Sequence, residues 1–386
     1  MSELLSSRWA ETKEALLEGL QGTKKSVMGV TLENTKKYLQ ESATAGATSA
    51  GNVATLNRVI LPVIRRVMPT VIANELVGVQ PMTGPVGQIH TLRVRYSDSS
   101  GNAGVTAGEE ALSPFKIAEG YSADSTGRAV STASLEGQAG KRMSIQILKQ
   151  TVEAKTRKLS ARWTFEAAQD AQAQQGIDIE AEVMAALAQE ITAEIDQEIL
   201  ASLLSLAGTA VESFDQNAVS GTATFVGDEH AALAVQINRV SNLIAQRTRR
   251  GAGNWAVVSP YALTILQSAT TSAFARTTEG TFEAPTNTKL VGTLNSAMKV
   301  YVNTYATDTT DILIGYKGSS ESDAAAFYCP YIPLMSSGVV LDPSTFEPVV
   351  SFMTRYGYVE LTNTASSLGN AADYLGRIAI QNVSFK

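Results

Sequence analysis

The residue types that most often carry chemistry are scarce in this chain. His90 and His230 are its only histidines and Cys329 its only cysteine. The two histidines fall in segments of different periodicity, so neither an imidazole metal site nor a nucleophile–base triad is suggested by their placement. Cys329 lies in Phe327-Tyr328-Cys329-Pro330-Tyr331, an aromatic strand context in which a thiol serves as a small buried hydrophobe. Asp178, Glu180 and Glu182 cluster at the start of a helical pattern. Two-residue spacing puts them on different faces and suits the positive end of the helix dipole better than a shared metal or proton. Gly315-Tyr316-Lys317-Gly318-Ser319-Ser320 holds the residues of a phosphate loop but not their order, which needs Lys directly after the second Gly. Arg247-Thr248-Arg249-Arg250 closes a helix, where cations complement the dipole. With no GxGxxG after a strand, no HExxH and no GxSxG, no catalytic, cofactor-binding or metal residue is assigned, and no cofactor is expected.

The elements that would have to position such residues say more. Ile179, Val183, Leu187, Ile191, Ile195, Ile199 and Leu203 recur every four residues behind a capping Asp178, which predicts a long helix over 177–206. At 1.5 Å per residue it would span about 45 Å. Val86–Tyr96 and Met143–Val152 alternate in character as strands do. The glycine-rich stretch between them, 97–140, has few large apolar residues and is expected to form a projection with little core of its own. After Gly208 the pattern becomes α/β: helices over 228–250 and 260–267, strands at 255–258, 298–305, 312–316 and 325–331, then a long β region over 349–361. Residues 1–52 read as an arm, with a short helix over 6–21 and an Ala/Thr/Ser/Gly linker over 43–52.

Length and composition bound the function. The 386 residues suffice for two or three domains. A hydrophobic share of 44% with 18% charged residues is that of a folded chain. The richest apolar run, Val59–Ile72, is broken by Arg65 and Arg66, so no membrane span is expected. The N-terminal Met1-Ser2-Glu3-Leu4-Leu5 carries no basic segment followed by an apolar one, which points to synthesis in the cytosol. A net charge of −6 disfavours a dedicated nucleic-acid binder. Charge is nevertheless segregated. Residues 141–162 hold Lys141, Arg142, Lys149, Lys155, Arg157, Lys158 and Arg162 against one acid, Glu153, whereas the long helix carries Glu180, Glu182, Glu190, Glu194, Asp196 and Glu198 and no cation.

Several separated blocks resemble the major capsid proteins of T-even-type tailed phages. They are Ile60–Pro69, Gly78–Gly87, Lys155–Thr164, Gln174–Glu182, Gly315–Gly318, Phe327–Pro333 and Thr354–Gly357, in order over about residues 58–360. The resemblance implies an α+β, Hong Kong 97-like capsid fold. Its parts would be an N-terminal arm (1–69), an extended β-hairpin loop (86–152), a peripheral domain (70–85, 153–206 and 336–386) with spine helix 177–206, and an axial α/β domain (207–335). It implies a structural role rather than an enzymatic one: hexamers, with pentamers as a second ring size, closing into the DNA-containing head shell. Expected partners are other capsid, portal, vertex or decoration proteins and non-specifically held double-stranded DNA at the lumen, with no membrane. The particle would be assembled in the host cytoplasm.

In that family the extended loop lies over a neighbouring subunit. The cations Lys149, Lys155, Arg157, Lys158 and Arg162 are therefore candidates to meet Glu180, Glu190 and Glu194 across a subunit boundary, and pairing within the chain is the competing expectation. Exposed pairs of this kind steer and set register rather than bind strongly. Other readings are a pentameric vertex paralogue, an encapsulin-like compartment shell, an α/β enzyme with an unread site, and a DNA-binding module, which the acidic net charge disfavours.

Overall fold

The computed structural model describes residues 22–45, 72–100, 128–175, 178–216, 226–268, 289–306, 311–319, 323–361 and 371–382, apart from 138, 249, 296 and 346, with shorter pieces at 104–109, 120–122 and 274–276 and scattered positions such as Trp9, Leu16 and Ala111. The linker expected over 43–52 falls outside them from residue 46, as does the block Ile60–Pro69. The chain divides into two compact units: 1–87 with 152–201 and 327–359, and 88–151 with 202–326 and 360–386.

The first unit is built on a five-stranded sheet and a long helix. In chain order its elements are α1 (Gly22–Ala45), α2 (Ala73–Leu76) and β1 (Gly78–Val79), then, after the ribbon described below, β4 (Lys155–Arg162), α4 (Phe165–Gln175), α5 (Ile179–Ala207, which runs on into the second unit), β11 (Ala326–Ser336), β12 (Val340–Leu341) and β13 (Pro348–Glu360). The helix expected over 177–206 is α5. Its 29 residues span about 44 Å, and Asp178 caps it, its Oδ1 accepting the Glu180 N–H at 3.1 Å. From Leu187 on, the apolar repeat is the buried face: Leu187, Ile191, Ile195, Ile199 and Leu203, with Met184 beside them, are each at most 8% exposed, while Ile179 and Val183 are half-buried. Burying side chains of this size stabilises by about 1.5–3 kcal/mol each. β13 alternates from Pro348 to Tyr356, with Val350, Phe352, Thr354 and Tyr356 buried, and it pairs antiparallel with β4 from Tyr356↔Lys155 to Val349↔Arg162.

Helix α1 does not announce itself in the sequence as a packed element. Val27, Met28, Thr31 and Leu32 are nevertheless buried at helical spacing, and Asn34 Nδ2 donates to the Met82 carbonyl at 2.6 Å and the Tyr331 carbonyl at 3.0 Å.

The second unit holds a seven-stranded mixed sheet in the order β5 (Glu212–Asp215), β14 (Leu375–Gln381), β10 (Ile312–Gly315), β6 (Trp255–Val258), β9 (Met298–Val302), β8 (Lys289–Leu294) and β7 (Phe274–Arg276). Helices α6 (Val226–Thr248) and α7 (Pro260–Ser268) bury Leu233, Ile237, Val240, Ile244, Ile265 and Leu266 in the same core as its strands. β6 and β10 are buried along their whole length, as expected of central strands covered on both faces.

Two segments differ from the boundaries expected from sequence. Residues 360–386, expected with the spine helix, lie in the second unit because β14 pairs antiparallel with β10 and parallel with β5. Residues 327–335, expected with the axial domain, lie in the first because β11 takes β1 as a parallel neighbour. Strand partners are non-local, so composition along the chain does not reveal them.

The remaining strands, β2 (Val86–Tyr96) and β3 (Met143–Glu153), pair only with each other among the described residues, forming a two-stranded ribbon. A short helix, α3 (Thr132–Leu135), lies in the stretch between them. That stretch has more core than expected: Tyr96, Val105, Ala111 and Tyr121 form a small buried cluster. The Tyr121 hydroxyl donates to the Arg142 carbonyl at 2.7 Å, and the Arg142 N–H donates to Asp98 Oδ2 at 2.8 Å.

Candidate interaction surface

Strand β4 brings the basic segment against the acidic helix within one chain. Its alternation puts Arg157 on the side facing α5, with Lys155 and Lys158 exposed. Arg157 Nη1 donates to Glu194 Oε2 at 2.7 Å, Nη2 to Glu198 Oε2 at 2.7 Å and Nε to the Tyr356 hydroxyl at 2.6 Å. The Tyr356 hydroxyl in turn donates to Glu198. Glu194 and Glu198 stand one helical turn apart, so one planar guanidinium can span both. Burial alone would make the Arg157 cation easier to discharge, but hydrogen bonds with Glu198 and Tyr356 outweigh it and hold the side chain charged. Burial likewise raises Glu198, and the donors Tyr356 and Arg157 overcome it, holding the carboxyl below the usual range.

Of the eight candidate residues, Arg157 and Glu194 are thus joined to each other within the chain. Lys149, Lys155, Lys158, Arg162 and Glu190 are exposed. Arg162 makes a loose 3.8 Å pair with Glu347. Glu180 is half-buried and lines a groove of about 390 Å³ together with Trp163, Phe165, Ile179 and Leu341. Glu198 and Tyr356 complete the Arg157 cluster and escaped selection from sequence. The available signal was the i,i+4 spacing of Glu194 and Glu198.

Replacing Arg157 with Ala takes the shared cation from Glu194 and Glu198 and leaves the Tyr356 hydroxyl with its bond to Glu198 alone. It should cost about 1–3 kcal/mol, read as a lower urea midpoint, and Lys at this position should recover little because it lacks the planar fork. The Glu198 share of this stability is present above the ordinary glutamate range and is lost as pH falls through the depressed native value. A wild-type advantage over Arg157→Ala that persists undiminished into strong acid would contradict the assignment.

A second surface was not anticipated. Met143, Ile145 and Ile147 on β3 are 51%, 68% and 66% exposed. With Lys149 they follow at two-residue intervals, so all four share one face of the ribbon. In the first unit Phe165, Val339, Val340 and Leu341 are also large apolar side chains left exposed.

Candidate chemistry is thin. His230 is buried, its Nδ1 2.5 Å from Ser268 Oγ, and His90 is exposed on β2. Burial pushes the Cys329 thiol up to about 12, leaving it protonated at neutral pH. Among the described residues no group of three or more His, Cys, Asp or Glu is disposed to hold a metal, and no helix is long and apolar enough to cross a membrane.

Comparison with known proteins shows what carries these surfaces. A sequence profile of the family described as "Major capsid protein Gp23" matches residues 53–380. A major capsid protein of Vibrio phage KVP40 is 29% identical, covering 85% of this chain and 81% of that protein. That of Enterobacteria phage T4 is 28% identical over 83% of this chain and 78% of its own length, and that of Salmonella phage ViI 30% over 83% and 80%. A solved chain from Mycobacterium phage Bobi superposes with a TM-score of 0.49 at 12% identity, covering 81% of this chain and 90% of that one. From the profile match and these relatives, the chain belongs to the Gp23 major capsid protein family: it is a structural protein of the tailed-phage head shell, and its place is the virion capsid.

Proposed function

We propose that copies of this chain form hexameric capsomers, with pentamers as a second ring size, that close into a DNA-filled shell of Hong Kong 97-like subunits. The observation that carries this reading is the apolar stripe Met143, Ile145, Ile147, left in solvent on a ribbon whose strands pair only with each other among the described residues. Apolar side chains in such a row are characteristic of a surface that a partner covers. In this reading the arm precedes residue 70 and the ribbon over 86–152 lies on a neighbouring copy. The first unit supplies the peripheral domain with its spine helix α5, and the second supplies the axial domain. Ring contacts of this kind are heterologous, one patch meeting a different patch on the next copy, and they close when the rotation per subunit divides a full turn.

The exposed cations Lys149, Lys155, Lys158 and Arg162 and the acids Glu180 and Glu190 then steer neighbouring copies into register, each pair contributing about 0–1 kcal/mol. Arg157 and Glu194 are committed within the chain and drop out of this set. Reversing Glu180 and Glu190 to Lys should lower shell yield several-fold at low salt while leaving the circular-dichroism spectrum of the unassembled chain unchanged. Wild-type yield under those conditions would reject the steering role. No catalytic group is required. Double-stranded DNA is held weakly and without sequence preference at the lumen, portal, vertex or decoration proteins complete the particle, and assembly takes place in the host cytoplasm.

Electron microscopy of native particles, with subunits counted around each ring, tests the proposal. Six-fold rings in a closed, DNA-filled shell are the expected result. A small discrete oligomer, or a shell filled with protein cargo, overturns it.

A further inference from the structure

Buried polar groups in the first unit are mostly matched: Thr192 Oγ1 donates to the Ala188 carbonyl at 2.8 Å and Thr354 Oγ1 to the Ile332 carbonyl at 3.1 Å. Asp196, on the buried face of α5, is matched only by half. It is 2% exposed, and its Oδ1 accepts the Ile72 N–H at 2.8 Å. Its Oδ2 is buried and meets no hydrogen-bond donor among the described residues.

Among the described residues, the titratable groups on the surrounding elements bring it no countercharge. On β11, Tyr328 is fully buried and kept neutral by that burial. On α2, Glu75 is paired with Lys24 of α1 at 2.7 Å. On α5 itself, Glu194 and Glu198 are held by Arg157. Burial therefore dominates and pushes the Asp196 carboxyl up to about 7, with only the Ile72 N–H pulling it down. An ionised carboxylate buried with one donor is costly, whereas the neutral acid is not.

Ile72 is a joint. Its carbonyl accepts the N–H groups of Glu75 and Leu76, and a few residues on, the Gln80 and Met82 N–H groups donate to the carbonyls of Tyr328 and Pro330 on β11. Asn34 of α1 then holds the Met82 carbonyl. We propose that Asp196 is a pH-operated latch on residues 72–82: the neutral acid tolerates burial against Ile72 with α2 and β1 seated, whereas the ionised carboxylate, although its bond from the Ile72 N–H is the stronger, favours an opened joint in which it reaches water. The latch sits at Ile72, just ahead of α2 and β1, so a rise in pH towards 7 frees that joint.

The sign follows from linkage. A carboxyl raised in the folded state contributes stability that is fully present below its ordinary value of about 3.9 and is lost as pH rises through the native value. Opening of 72–82 should become about tenfold easier per pH unit up to pH 7 and then level off.

Amide hydrogen exchange of the full-length, assembled protein, corrected for intrinsic chemical exchange, tests this directly. Protection in peptides covering 72–82 should fall about 100-fold from pH 5 to pH 7 and stay flat above, with β6 peptides as an unchanged reference. Asp196→Asn should keep the Ile72 contact and abolish the slope, and Asp196→Ser takes its place if the Asn variant does not fold. Wild-type protection that is constant over this range overturns the latch without any variant, and so does an undiminished slope in either substitution.

Discussion

Substituting aspartate for both Ile145 and Ile147 should leave a folded chain that no longer closes shells. Both side chains are about two-thirds exposed on β3, so the folded subunit loses little by the change. Substitutions away from buried features typically alter stability by less than about 0.5 kcal/mol. At an interface the same positions are worth more. Burying an isoleucine contributes about 1.5–3 kcal/mol relative to leaving it in water, and two buried carboxylates without cations add a desolvation penalty on top. The deficit recurs in every copy of a ring, so a modest loss per contact becomes complete loss of closure. Sedimentation and electron microscopy should find only unassembled chains, with a circular-dichroism spectrum like the wild type. Ile→Val at both positions, which keeps the apolar face, should still assemble. Shells at normal yield from the double aspartate variant would mean that the stripe is not the covered surface.

Gly315→Ala should damage the subunit itself. Gly315 ends β10 and is paired across the sheet with Trp255 of β6, whose indole lies against it. A Cβ added at this glycine would come within 2.1 Å of Trp255 Cζ2 and 2.5 Å of Cε2. The indole has nowhere to go, because Trp255 is 2% exposed and sits in a central strand flanked by β10 and β9. Overpacking a rigid core costs about 1–3 kcal/mol and sometimes more, and here the upper end is expected. Urea denaturation of the full chain should show a clearly lower midpoint, with Trp255 fluorescence altered. Adding Trp255→Leu should recover part of the loss by clearing the space, and if Gly315→Ala unfolds at the wild-type midpoint, the ring is not seated over the glycine.

Where neighbours in sequence are also neighbours in space, residue order was enough. The apolar repeat from Ile179 to Leu203 and the capping Asp178 became α5 within two residues at its start and one at its end. Alternation located β2, and the strands expected at 255–258 and 349–361 fall within a residue of the limits of β6 and β13. The blocks Lys155–Thr164, Phe327–Pro333 and Thr354–Gly357, matched by resemblance, lie in or beside β4, β11 and β13, and the family they implied is the one the profile match shows. The charge segregation was also legible, as composition.

What tertiary structure decided is which side of each pattern meets protein and which meets solvent. Met143, Ile145 and Ile147 alternate as half-buried strand residues do, yet all three are more than half exposed, on a ribbon whose strands pair only with each other among the described residues. Arg157 is one of seven similar cations until β4 takes its register on β13, which sets it beside Tyr356 and within reach of Glu194 and Glu198. Asp196 is one acid in a run of acids until the rotation of α5 turns it inward onto Ile72. A helix or strand signal depends on neighbours a few residues away and survives in the sequence. Burial and ion pairing depend on partners tens to hundreds of positions distant, and only the folded chain brings those together.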